Sequence, residues 1–450
     1  MPTAIGLMFV IAATYCFAKG ADELFCLLIF STLFNASSIT SSFGLGPFYF
    51  VAFMFLARSF LDVLTSKQPQ TSFKGKKLLV LFGFIGVLSA FTLPFIFAGV
   101  HIDSPKATED ELFLRPPLHF GPSNVAQAAY LVMQILIVFM AVRRRSDQAL
   151  FRTTRAFWLS CYFLVAIVFI QFACLHVGVS FPYKFFQNNP SQVGAVAGVE
   201  SGNIESRVMG PFSEPAAAGI VLATFAAALL PQLFAGKRKT IALLFALMAL
   251  VMVRSASSLA TVAFMTACVI FAYPMFRFPW FIKTTRLKRV SGLLLVVTLV
   301  ALTVLASPLR KSLLSQTVDK SDSTSFVNRT TRDLNALQIT SETHGFGVGL
   351  GSERPSSLVT TLLSNVGIIG FLVFTLMYIR LLSNATGENA WLRWAGYATL
   401  IDMACAGPSI TAPAMWIMLA LAVRLGSNNP VAAFENSSLQ ALPATAGLQA

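Results

Sequence analysis

TSFVNRTTRDLNALQITSETHGFGVGLGSERPSSLVTTLLSNVGIIG, residues 324–370, is a polar interruption between two apolar runs. Arg329, Arg332, His344 and Arg354 fall within it, with a glycine series at Gly345, Gly347, Gly349 and Gly351. A chain that returns from such a stretch into SSLVTTLLSNVGIIGFLVFTLMYI is re-entering an apolar medium. The rest of the composition agrees. The chain is 56% hydrophobic and 12% charged, with 42 Phe in 450 residues. Soluble domains carry about 25% charged residues. The first apolar run lacks a basic start and a small-residue cleavage site, so it reads as a membrane helix rather than a removed signal.

A span needs roughly 20 apolar residues. On that basis helices are expected near 3–18, 24–41, 45–64, 78–99, 124–142, 157–176, 214–235, 240–253, 258–276, 290–306, 357–379, 394–406 and 411–425. The expected fold is an all-α polytopic membrane protein with about 12–13 transmembrane helices. Basic loops set its orientation. Lys67, Lys74, Lys76 and Lys77 lie in one loop, and Arg143, Arg144, Arg145, Arg152 and Arg155 in another. Lys237, Arg238 and Lys239 form a third, and Arg277, Lys283, Arg286, Lys288 and Arg289 a fourth. With thirteen spans and the amino terminus outside, all four fall on the cytoplasmic side, as do Arg380, Arg393 and Arg424. Two thirds of the 33 Lys and Arg then lie inside, as the positive-inside rule requires. The net charge of +14 therefore needs no nucleic-acid partner.

One transmembrane domain, residues 1–426, is expected, with periplasmic loops at about 100–123, 177–213 and 307–356. The Ala/Asn/Ser-rich segment 427–450 reads as a disordered cytoplasmic tail. The six cysteines lie in apolar runs without metal-ligand spacing to His, so neither a disulfide nor a metal site is expected.

Several outer-side residues have chemistry to offer. Arg207 precedes a span in ESRVMGPFSEPAAAGI, Arg254 ends one, and Arg354 precedes another in GSERPSS. Arg329 and Arg332, three apart, share a face if that segment is helical. Guanidinium forks match phosphate oxygens bidentately, so arginines on the disfavoured face suggest an anionic lipid-linked substrate. The competing reading pairs them with Glu205, Asp333 or Glu353 as ordinary loop charges. The GFGVGLGS run offers amides for an anion nest at Gly349 and Gly351. It lacks the Lys-Ser/Thr of a nucleotide loop, and its other reading is a tight loop that brings the chain down onto the membrane. His344 and Glu214 are the candidate bases. A solvated loop histidine and a helix-start acid are the alternatives. Glu342 and Glu353 read as solvated loop acids, and Asp402 as a carboxylate inside a short span. Ser255, Ser257 and Ser258 form no recognisable Ser-His-Asp arrangement.

GPFSEPAAAGIVLA after Arg207, RSASSLATVAF from Arg254, and NRTTRDLNAL, GFGVGLGSERPSS and LLSNVGIIG in that order resemble the O-antigen polymerase/ligase superfamily. The resemblance spans roughly residues 200–375. It implies a bacterial inner-membrane glycosyltransferase of the GT-C type that uses undecaprenyl-diphosphate-linked glycans at the periplasmic face, without cofactor. By motif position, Arg207 and Arg254 would hold the diphosphate leaving group, with Arg329 or Arg332 and Arg354 as further candidates. The ligase branch carries His, then Asn, Ser or Gln, nine residues, and a Gly-x-x-Gly ending. Here Gly367, Gly370 and Ser357 fit, but Ser356 stands at the His place, and the usual Ser-Arg pair reads Ser257-Ser258. The expectation is therefore a polymerase of lipid-linked repeat units, making exopolysaccharide or O-antigen. Ligation to lipid A-core and polyprenyl-glycan transport are the alternatives. Membrane lipid and a chain-length regulator or flippase of the same pathway are the implied partners.

Overall fold

A computed structural model describes residues 1–42, 44–65, 72–103, 115–143, 146–190, 208–234, 240–254 and 324–426. Those residues are mostly helical, and among them there is no strand, only two isolated bridges. The helices are α1 (Ala4–Lys19), α2 (Ala21–Ser31), α3 (Pro47–Thr65), α4 (Lys76–Ile96), α5 (Pro122–Ala141) and α6 (Asp147–Val177). They continue with α7 (Tyr183–Phe186), α8 (Pro215–Phe234), α9 (Thr240–Arg254), α10 (Thr324–Glu342), α11 (Leu358–Leu382), α12 (Trp391–Ala406) and α13 (Pro413–Gly426). The expected spans 258–276 and 290–306 and the tail from 427 lie outside the described residues.

Among the described residues five helices are long and apolar enough to cross a membrane: α3, α4, α5, α6 and α11. Their outward faces confirm what medium they suit. Phe53, Phe84, Phe95 and Ile369 are each more than 60% exposed, and such side chains belong against lipid. Inside, α4 packs on α5 and α11, α12 on α8, and α13 on α5. A phenylalanine cluster of Phe9, Phe30, Phe34, Phe163 and Phe186 closes the amino-terminal side.

Two expected spans have different bounds. The run 24–41 is not one helix. α2 ends at Ser31, because the following Ser37, Ser38 and Ser41 engage hydrogen bonds that compete with a helix. Ser37 Oγ donates to the Phe186 carbonyl (2.6 Å), and Ser38 N–H donates to Asn188 Oδ1 (2.8 Å). Conversely, α6 begins ten residues before the expected 157. Ser146 accepts the Ala149 amide at 3.1 Å and Asp147 sits in the first turn, so the helix starts inside the basic segment.

The connections sort to two ends of the bundle. At one, Lys74 and Asn384 exchange backbone and side-chain bonds, and Arg152 pairs with Glu23. Arg424 meets Asp22 at the same end. This is the basic end. At the other, the glycine run lies against Ser89, Pro94 and Ser123, near the end of α4 and the start of α5.

Candidate functional site

The expected loop 307–356 contains a helix. α10 contacts α11 and packs Ile339 inward against Ile102, Leu118 and Val348, while Leu334 and Leu337 stay exposed with its polar residues. Its Asp333 lies beside the α11 start. The Asp333 carboxylate accepts Ser356 N–H (2.9 Å), Ser356 Oγ–H (2.5 Å) and Thr360 Oγ1–H (2.7 Å). Ser357 caps the helix, accepting the Thr360 amide at 3.3 Å. Ser356 is thus locked by a carboxylate on another helix.

The chain reaches that point through a strap, residues 343–353. Its glycines all have positive φ. At Gly349 (φ 100°) a Cβ would stand 2.7 Å from the Ser89 carbonyl oxygen and 2.8 Å from Pro94 Cδ, so only glycine fits this backbone and this approach. α11 makes room from its side. Gly367 breaks the helix at φ 72°, ψ −178°, where any Cβ would run into the Gly345 and Phe346 carbonyls. The break lets Ser364 and Asn365 carbonyls accept from Val348 (2.7 Å) and Gly349 (3.0 Å).

This corrects the reading of the glycine run as an anion nest. Gly345 N–H donates to Thr340, Gly347 to Thr343 Oγ1, Gly349 to the Asn365 carbonyl and Gly351 to Asn365 Oδ1. Gly349 and Gly351 are buried and their amides are already engaged. The run is a structural strap, the tight-loop reading.

The arginines behave differently. Arg354 is exposed, as is Arg329, and neither side chain has a hydrogen bond or ion pair among the described residues. Arg354 lies close enough to the Tyr49 hydroxyl to act on it electrostatically, and Tyr49 stacks on Tyr130 at 4.6 Å. Arg332 is half-buried, and its buried Nε lacks a hydrogen-bond partner. The Arg329 carbonyl accepts from Ser356 Oγ at 3.4 Å, which brings α10 to the residue two positions after Arg354. These contacts bring the part of α10 that carries Arg329 and Arg332 to the α11 start beside Arg354, a region termed here the mouth. Of the carboxylates expected to neutralise them, Asp333 is engaged by hydroxyls and an amide, Glu353 is buried in the interior, and Glu205 lies outside the described residues.

Other expected site residues fall apart from this mouth. His344 is exposed with φ 52°, beyond the far end of α10. At 1.5 Å per helical residue it is about 22 Å along the axis from Arg329. Glu214 is exposed just before α8, and its carbonyl accepts the Ala218 amide, consistent with the helix-start reading. That segment is tied down by Gln171 Oε1, which accepts from Met209 (2.9 Å) and Gly210 (2.7 Å). Arg254 is the last residue of α9. Arg207, Glu205 and Ser255–Ser258 lie outside the described residues.

Two acids carry information the sequence concealed. Glu342 is exposed and accepts from Gln338. Glu353, expected to be solvated as well, is 3% exposed with both carboxylate oxygens unpartnered. It follows Ser352, whose hydroxyl accepts from Asn124 Nδ2, and it is carried inward by the strap. Burial, and then the charges of Asp103 and Asp333, push its carboxyl up to about 8, against the pull of nearby Ser364 and Arg115. Asp402 in α12 is likewise buried, with Oδ2 unpartnered. The clue to Glu353 was its position three residues after buried Leu350 in a run with no turn long enough to expose it.

Among the described residues no cluster of three or more His, Cys, Asp or Glu is arranged to hold a metal. No family model matches the chain, and no curated protein matches it.

Proposed function

We propose that the protein is a glycosyltransferase of the bacterial inner membrane that polymerises undecaprenyl-diphosphate-linked repeat units at the periplasmic face. The observation that carries this reading is the Arg329–Arg332–Arg354 mouth. Guanidiniums without carboxylate partners among the described residues stand near the end of membrane-length helices, where a lipid diphosphate would present its charge. An acceptor sugar hydroxyl attacks the anomeric carbon, the glycosyl–oxygen bond breaks, and undecaprenyl diphosphate leaves with the electron pair. The arginines stabilise the charge that gathers on the leaving diphosphate, which is electrostatic catalysis. Arg254 and Arg207 are further donors to the same group by motif position. The Tyr49–Tyr130 pair beside Arg354 offers ring faces and hydroxyls for a sugar. Ser356 held by Asp333 argues for polymerase over ligase, because the residue at the ligase-histidine place is a hydrogen-bond donor already in use.

The decisive experiment replaces Arg329, Arg332 and Arg354 by Ala singly and together in a strain that depends on this gene for polymer. The expected outcome is shortened polymer in each single variant, and single repeat units accumulating on the outer leaflet in the triple variant. Full-length polymer from the triple variant would sink the proposal. The transport alternative has one observation of its own, the buried Asp402 carboxylate within α12. Accumulation of repeat units on the inner leaflet, with loss in Asp402→Asn, would favour it instead.

A further inference from the structure

Glu353 sits at the last turn of the strap, and its backbone and side chain are treated in opposite ways. Its backbone is clamped twice by one residue: Glu353 N–H donates to Asn365 Oδ1 (3.4 Å), and Asn365 Nδ2 donates to the Glu353 carbonyl (3.1 Å). The side chain is buried, and among the described residues neither oxygen has a partner in hydrogen-bond geometry, with the Ser364 hydroxyl the nearby donor. The groups that face it come from three elements. Asp103 and Arg115 belong to the α4–α5 connection, Asp333 to α10, and Ser364 to α11. Asp103 is itself bonded by Asn335 Nδ2 at 3.1–3.2 Å and lies 3.7 Å from Arg115 Nε. Arg115 also donates to the His101 carbonyl at 2.7 Å. Among the described residues two carboxylates thus face Glu353, and the one facing cation, Arg115, is shared with Asp103 and the His101 carbonyl. The Ser364 hydroxyl and Arg115 favour a third negative charge there, but burial beside two carboxylates outweighs them, so the neutral carboxyl is the form that fits.

We propose that Glu353 is a proton-controlled latch on the strap. Neutral, it seats Gly351–Arg354 against α10, α11 and the α4–α5 connection. Ionised, it leaves the pocket for water and carries Arg354 away from the mouth. The only covalent change is loss of one proton from the carboxyl to water. The direction follows from linkage. A carboxyl whose folded-state value is raised contributes stability that is fully present below its ordinary value and is lost as pH rises through about 8. The strap is therefore held most firmly in acid and is progressively released as pH rises toward about 8. This holds whether or not the arginine mouth handles a lipid diphosphate.

Amide hydrogen exchange of the full chain in detergent tests it, with rates corrected for intrinsic exchange, between about pH 6 and about pH 9.5. Protection of the amides from Gly345 to Glu353 is expected to fall about tenfold per pH unit up to about pH 8 and to level off above it. Protection of α5 amides is expected to stay constant. Glu353→Gln removes the pH dependence and keeps the strap protected throughout. Constant strap protection across the range in the wild-type chain overturns the proposal without need of any variant. So does a Glu353→Gln chain that still loses protection as pH rises.

Discussion

The two ends of the bundle treat charge in opposite ways. At the basic end, Arg424 is 1% exposed and spends its guanidinium on three partners. Nε donates to Thr153 Oγ1 (3.0 Å), Nη1 to the Ala141 carbonyl (2.8 Å) and Nη2 to Asp22 (2.5 Å), and the group stands 5.0 Å from the Phe25 ring centre. Arg58 pairs with Asp62, and Arg393 donates to the Ser383 carbonyl. At the glycine-run end Asp333 is occupied by hydroxyls and an amide and Glu353 is buried, and Arg329 and Arg354 are exposed with no carboxylate partner among the described residues. The same side chain is structural where all its donors are met and available for a ligand where they are not.

The comparison breaks first if Arg424 proves dispensable. Arg424→Leu leaves Asp22 and two interior acceptors unmet across α2, α5 and α6. Loss of one partner of a buried pair costs about 3–5 kcal/mol. A large drop in the thermal melting point of the purified protein is expected, with polymer lost because the chain is lost. An unchanged melting point would remove the contrast.

Gly367→Ala tests the other end's frame. Strain at a left-handed position costs about 1–3 kcal/mol, and the collision with two carbonyls adds to it. The expected result is a lower melting point together with faster exchange confined to the strap and the first half of α11. Equal exchange in the two halves of α11 would mean that the break does not hold the strap. The smallest expected stability effect is at Arg354. Arg354→Ala should move stability by no more than about 0.5 kcal/mol, as for a surface site. It should still shorten polymer, and a melting-point loss like that of Arg424→Leu would show that Arg354 is a structural charge after all.

Much of this architecture could be read in advance. The apolar runs behind α1, α3, α4, α5 and the second half of α11 have nearly the expected bounds, because transfer of a helix to an apolar medium depends on local composition. The basic segments around Lys74, Arg152, Arg380 and Arg424 do gather at one end. The glycine series was visible, but not its use. Whether Gly349 and Gly351 offer amides to a ligand depends on Asn365, fourteen residues on from Gly351, and on a break in α11 that no local rule places at Gly367. Glu353 and Glu342 look alike in sequence. One is buried and one exposed because the strap turns inward between α4 and α11.

The sequence by itself determined that the described chain is helical, that its long helices suit a membrane, and that the basic segments around Lys74, Arg152, Arg380 and Arg424 share an end. These follow from short-range periodicity and from the cost of unpaired backbone groups in an apolar medium. Tertiary structure alone decided which charges are spent. Arg424 finds Asp22 across 402 positions, and Asn335 finds Asp103 across 232. Pairing at that range is set by which helix ends meet. That meeting leaves Arg354 open to a ligand and Glu353 closed inside.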